Sequence, residues 1–118
     1  MLVVEDEDLV RDVARRILTQ QGYHVLAARS GAEAMALLDG HAGTIHLLLT
    51  DVVMPGATGK EVATMVTELR PEIRVLYMSG YSESVIASQG VIDQGITLLS
   101  KPFRAPDLLE HVRAVLDA

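Results

Sequence analysis

Short apolar runs alternate along this chain with segments whose apolar residues recur at helical spacing, each run-plus-segment unit filling about two dozen residues. The runs are Leu2 to Val4, Tyr23 to Ala27, Leu47 to Thr50, Val75 to Met78 and Ile96 to Leu99. None alternates with polar residues, as parallel strands covered on both faces require. Between the runs, Leu9, Val10, Val13, Ala14, Ile17 and Leu18 fall on one helical stripe, and Val62, Met65, Val66 and Leu69 on another. Leu108, Leu109, Val112, Val115 and Leu116 give a third. The alternation predicts βα units, and five of them with right-handed crossovers make an open parallel sheet.

Local signals agree with these elements. Ser30 with Glu33 and Thr58 with Glu61 have capping-box spacing, while Gly22 and Pro71 mark ends. The segment from Ser82 to Gly95 is the weak helix, because Ser84, Ser88, Gly90 and Gly95 dilute its propensity; it is expected to be the mobile one. No linker, low-complexity tract or long-period repeat divides the chain, so residues 1–118 are read as one domain.

Composition narrows the function classes. Apolar residues make up 49% of the chain and aromatics only 3%, which predicts an aliphatic core with Met54, Met65 and Met78 as filler. A formal charge of −6 argues against direct nucleic-acid binding, since phosphate backbones are gripped by clustered Lys and Arg. The absence of cysteine excludes disulfides and thiolate metal sites. No apolar run approaches the roughly 20 residues of a membrane span. The amino terminus turns acidic at Glu5, unlike a signal peptide, so a cytoplasmic location without membrane contact is expected.

In an open parallel sheet the functional crevice lies beyond the carboxyl ends of the strands. Glu5 and Asp6 follow the first run, Asp51 the third, Ser79 the fourth and Lys101 the fifth. Each has a bland reading: an acidic helix start for Glu5 and Asp6, a turn cap for Asp51, a turn for Ser79-Gly80 and a solvated loop residue for Lys101. Jointly they suit a divalent cation and a phosphoryl group. Mg²⁺ takes hard oxygen ligands, a lone carboxylate cluster would repel itself, and phosphoryl transfer needs positioned reactants with neutralised oxygens. Asp51 is then the nucleophile. His24, His41, His46 and His111 show no ligand spacing and are expected at the surface or half-buried.

The segments VVEDE, LLLTDVVMPG, MSGY and SKPF resemble, in order and spacing, the receiver domains of response regulators and hybrid histidine kinases. The resemblance covers the whole chain, and its wording is most similar to receivers of hybrid sensor kinases. It implies a flavodoxin-like (βα)5 three-layer fold with strand order 2-1-3-4-5. It also implies Mg²⁺ on Asp6, Asp51 and the backbone carbonyl of Val53, with Glu5 in the outer shell. Ser79 and Lys101 would contact phosphoryl oxygens, and the Lys101-Pro102 bond would be cis. The implied function is a phosphorelay receiver that takes a phosphoryl group from a phosphohistidine onto Asp51. It would then switch the face made by the fourth helix, fifth strand and fifth helix. Its partner would be a histidine kinase or histidine phosphotransfer domain, and the chain a monomer or weak dimer. It would be no stand-alone enzyme beyond Mg²⁺-dependent self-phosphorylation and self-dephosphorylation, though the parent protein could be a hybrid kinase.

Two features depart from that pattern. Leu98 stands three residues before the lysine, where the family often has a reporting Tyr or Phe, so Tyr81 and the Ser82 to Gly95 segment are the expected switching element. The first strand is also short, leaving room for natural chain upstream of Met1. Two rivals compete with the receiver reading. A haloacid dehalogenase-like phosphotransferase needs a second acid two residues after the nucleophile, where Val53 stands. A nucleotide-binding module wants a glycine-rich loop in place of VVEDED, which repels phosphate.

Overall fold

The computed structural model describes residues 1–54, 57–80 and 98–117, without the side chains of 53, 54 and 57. Tyr81, the Ser82 to Gly95 segment and Ile96 therefore lie outside the described residues. The elements are β1 (Leu2–Val4), α1 (Asp8–Gln20), β2 (Leu26–Ala28), α2 (Gly31–Asp39), β3 (Leu47–Asp51), β4 (Val53–Met54), β5 (Ala57–Thr58), α3 (Gly59–Leu69), β6 (Arg74–Ser79), β7 (Leu98–Ser100) and α4 (Ala105–Asp117). Five strands form one parallel sheet in the order β2-β1-β3-β6-β7, while β4 and β5 make a separate antiparallel pair. Counting the large sheet alone, this is the flavodoxin-like order 2-1-3-4-5.

The period-2 geometry of the strands sorts the core into two layers. Leu2, Val4, Leu48, Val52 and Tyr77 pack toward Ala34 and Leu38 of α2 and Val62 and Val66 of α3. Val3, Leu47, Leu49, Leu76 and Met78 pack on the other side with Ala14 and Leu18 of α1 and Leu108, Val112 and Val115 of α4. Unbroken apolar runs are thus read twice, odd and even positions serving opposite helical layers.

Boundaries shift where hydrogen bonds are claimed elsewhere. The second strand begins at Leu26 rather than Tyr23 because β1 offers partners only for Leu26 to Ala28, and the Tyr23 amide closes α1 by donating to the Leu18 carbonyl at 3.2 Å. Gly22, at φ 92°, turns the chain out of that helix in the left-handed region that suits glycine. Thr58 and Glu61 form a complete capping box. At α2 only half forms: Ser30 accepts from the Glu33 amide, while the Glu33 carboxylate pairs with Arg29 at 3.2 Å.

Four side chains of the predicted stripes reach solvent, Val13 among them at 38% exposure. Leu9 is 71% exposed, Leu69 54% and Met65 37%, so Met65 is not core filler. The apolar stripes are wider than the contacts the sheet offers. Met78 is fully buried, as expected. No helix among the described residues is long and apolar enough to cross a membrane.

Candidate functional site

The ladders of the sheet run on past the strand ends and fix the spacing of the rim. The Glu5 amide donates to the Ala28 carbonyl at 3.0 Å, Val52 to Met78 at 3.0 Å and Lys101 to Ser79 at 2.8 Å. Glu5, Asp51, Ser79 and Lys101 are thereby brought together around a cleft of about 570 Å³, which Glu7, Val10, Asp51, Ser79, Lys101 and Pro102 help to line. Glu5, Asp51 and Ser79 are buried, while Asp6 is exposed. One oxygen from each of Glu5, Asp6 and Asp51 lies within 4.8 Å of the others, a group able to hold a metal ion.

The Lys101 ammonium sits between two of these carboxylates, 3.0 Å from Asp51 Oδ2 and 3.1 Å from Glu5 Oε2. The Lys101-Pro102 bond is cis. Burial pushes the Glu5 carboxyl up to about 7, the neighbouring Asp51 charge adds to this, and the Glu7 amide and Lys101 oppose it. For Lys101 burial works against the charge, yet the hydrogen bonds and attraction of Asp51 and Glu5 outweigh it and raise its pKa above the ordinary value. Such a site stores uncompensated negative charge, which a divalent cation would relieve. All three carboxylates are the hard oxygen donors that Mg²⁺ selects, so the residues fit that ion.

The bland alternative holds for one atom only. Glu5 Oε1 does accept from the Glu7 amide at 3.1 Å, at the entry to α1, but Oε2 faces Lys101. Val53 opens β4 and registers with Thr58. Leu98 is half-buried and registers with Tyr77, so the described aromatic ring at this level of the sheet stands one strand over.

Two contributors have no sequence signature. A Cβ on Gly59 would lie 2.2 Å from the Asp51 carbonyl oxygen, because the Gly59 amide donates to the Val52 carbonyl at 2.7 Å and draws the start of α3 against the end of β3. Glycine is required there by this close approach. Arg11 reaches back from α1 and donates to the Glu5 carbonyl at 2.9 Å. The histidines stay apart from the rim: His24, His41 and His46 line a cavity of about 530 Å³ that includes Met1 and Arg113, at the opposite end of the sheet. His24 and His46 are exposed, and His41 and His111 half-buried.

Fold and rim together define a receiver, and the chain belongs to the response regulator receiver domain family, which matches residues 1–113. Sensor kinase CckA of Brucella abortus (strain 2308) is 34% identical over 117 residues, which are 99% of this chain but 12% of the kinase. The response regulator receiver protein CpdR of the same strain is 31% identical over 118 residues, 100% of this chain and 97% of CpdR. Among solved structures, the receiver domain from the hybrid histidine kinase CckA superposes with a TM-score of 0.80 at 39% identity, covering 98% of this chain and 96% of that one. A response regulator receiver protein from Sinorhizobium medicae WSM419 gives 0.80 at 31% identity over 99% and 93%. The likeness to hybrid-kinase receivers therefore holds, and the haloacid dehalogenase reading has no support. Receiver domains bind Mg²⁺ in an acidic pocket, and the acidic group Glu5, Asp6 and Asp51 is present here.

Proposed function

We propose that residues 1–118 form a phosphoacceptor receiver that takes a phosphoryl group onto Asp51 from the phosphohistidine of a histidine kinase or histidine phosphotransfer domain. One observation carries the reading: Asp51 is buried within a three-carboxylate group, with the Lys101 ammonium 3.0 Å from its Oδ2. The Asp51 carboxylate oxygen attacks phosphorus, the P–N bond breaks, and the imidazole leaves with a proton from solvent. Lys101 and the Ser79 hydroxyl would meet the equatorial oxygens, where negative charge must be stabilised in transfer. Asp6, Asp51 and the Val53 carbonyl would hold Mg²⁺, with Glu5 behind them; bound there, the ion would neutralise phosphoryl charge. The phosphoryl group is then lost to water in a self-catalysed step, and the phosphorylated state alters the face to which β7 and α4 contribute.

The test is labelling by acetyl phosphate or a phosphohistidine partner. Wild type is expected to label in Mg²⁺ and to lose labelling in excess chelator, and Asp51→Asn to remain unlabelled. Undiminished labelling in either condition would overturn the proposal.

A further inference from the structure

Every backbone and side-chain polar atom of Glu5 is held. Its amide donates to Ala28 at 3.0 Å, Oε1 accepts from the Glu7 amide at 3.1 Å, and Oε2 accepts from Lys101 at 3.1 Å. The fourth contact, at the carbonyl, comes from Arg11 Nη1 at 2.9 Å, while Nη2 of the same guanidinium meets Asp8 Oδ1 at 2.5 Å. Arg11 thus spans the turn between β1 and α1, tied at one end to the last carbonyl before Asp6 and at the other to the first helical residue.

Asp6 lies inside that span. Its carboxylate is exposed and makes no hydrogen bond or ion pair among the described residues, yet stands within 4.8 Å of Glu5 and Asp51 oxygens. A side chain without partners takes its position from its backbone, and this backbone is bracketed by Arg11. A nearby pair supplies the contrast: Arg15 meets Asp12 at 2.7 Å on the same helix, with both side chains open to water and no carbonyl held among the described residues. The Arg11 side chain is only 21% exposed.

We propose that Arg11 is a positioning residue for the divalent cation, holding the Glu5 to Asp8 turn so that the Asp6 carboxylate meets the ion beside Asp51. The inference rests on the metal reading of Glu5, Asp6 and Asp51. Guanidinium keeps its charge at all accessible pH and forms strong bonds to two acceptors at once, which an ammonium cannot span in the same way. Groups outside a ligand set that orient it commonly change metal affinity by tenfold or more.

Mg²⁺ affinity, read from amide chemical shifts during titration, tests this in wild type, Arg11→Ala, Arg11→Lys and Arg15→Ala. Arg11→Ala is expected to weaken Mg²⁺ about tenfold, Arg11→Lys by an intermediate amount, and Arg15→Ala not at all. Hydrogen exchange at the Glu7 amide should quicken in metal-free Arg11→Ala, and Asp51 labelling should recover at saturating Mg²⁺. An Arg11→Ala affinity equal to that of Arg15→Ala, with only a lower melting temperature, would reduce Arg11 to a helix staple and overturn the proposal. Should Arg11→Ala fail to fold, wild-type affinity in Arg11→Lys would overturn it. Failure of wild type itself to bind Mg²⁺ would instead refute the metal reading, and this inference with it.

Discussion

The two ends of the parallel sheet use the same kinds of charged residue to opposite effect. At the amino end, Arg70 donates to the carbonyls of Leu38, His41 and Gly43 at 3.1, 2.5 and 2.9 Å, closing the carboxyl end of α2. Arg74 does the same for α4 through Val115 and Leu116 at 2.8 and 3.0 Å. Arg74 meets carbonyls in the last turn of α4, at the negative end of its dipole, and Arg70 ties the last turn of α2 to the loop that follows it, so each contact favours the fold. At the carboxyl end, one lysine faces buried carboxylates, and the raised Glu5 pKa records chiefly the cost of burying that carboxyl, with the Asp51 charge adding to it. One end uses charge to tie down helix ends, and the other gathers it at an acidic rim.

The sharpest break in this contrast is Lys101→Ala. It leaves Glu5 and Asp51 without their cation, so in chelator it should destabilise the fold by about 3 kcal/mol, and Mg²⁺ should restore much of that while labelling stays slow. Denaturant titrations with and without Mg²⁺ check it. Gly59→Ala should cost about 2–3 kcal/mol, as overpacking against backbone does, and also slow Asp51 labelling, because the new methyl group meets the Asp51 carbonyl. Arg70→Ala is predicted to cost about 2 kcal/mol through its lost charged hydrogen bonds and to leave the labelling rate unchanged; a slowed rate would mean that the two ends are coupled. Thr58→Ala should remove an N-cap for about 1 kcal/mol, read as a small fall in melting temperature.

The rim was legible because buried runs end abruptly in Glu5, Asp51, Ser79 and Lys101, and a polar residue after an unbroken apolar strand has few other places to go. The strand order and the cis Lys101-Pro102 bond came from resemblance, not from periodicity. Gly59 escaped because its contact with Asp51 depends on the two-residue strands β4 and β5, too short to carry a pattern. Arg11 escaped for another reason: beside Arg15 and Arg16 it reads as one more residue of a solvated helix face, and only the fold shows which of them turns back. Leu9, Met65 and Leu69 have the spacing of core residues, but burial depends on what faces a stripe, which spacing does not encode.

The ladder contacts that continue past the strand ends make the rim a grid whose pitch belongs to the backbone. Adjacent strands lie about 4.8 Å apart, and the bonds from Val52 to Met78 and from Lys101 to Ser79 carry that interval to the places where the side chains leave the sheet. Reach is set by each side chain, but separation is not. A residue exchanged at one node changes the chemistry offered there and the charge its neighbours feel, but leaves the spacing between nodes as the backbone set it.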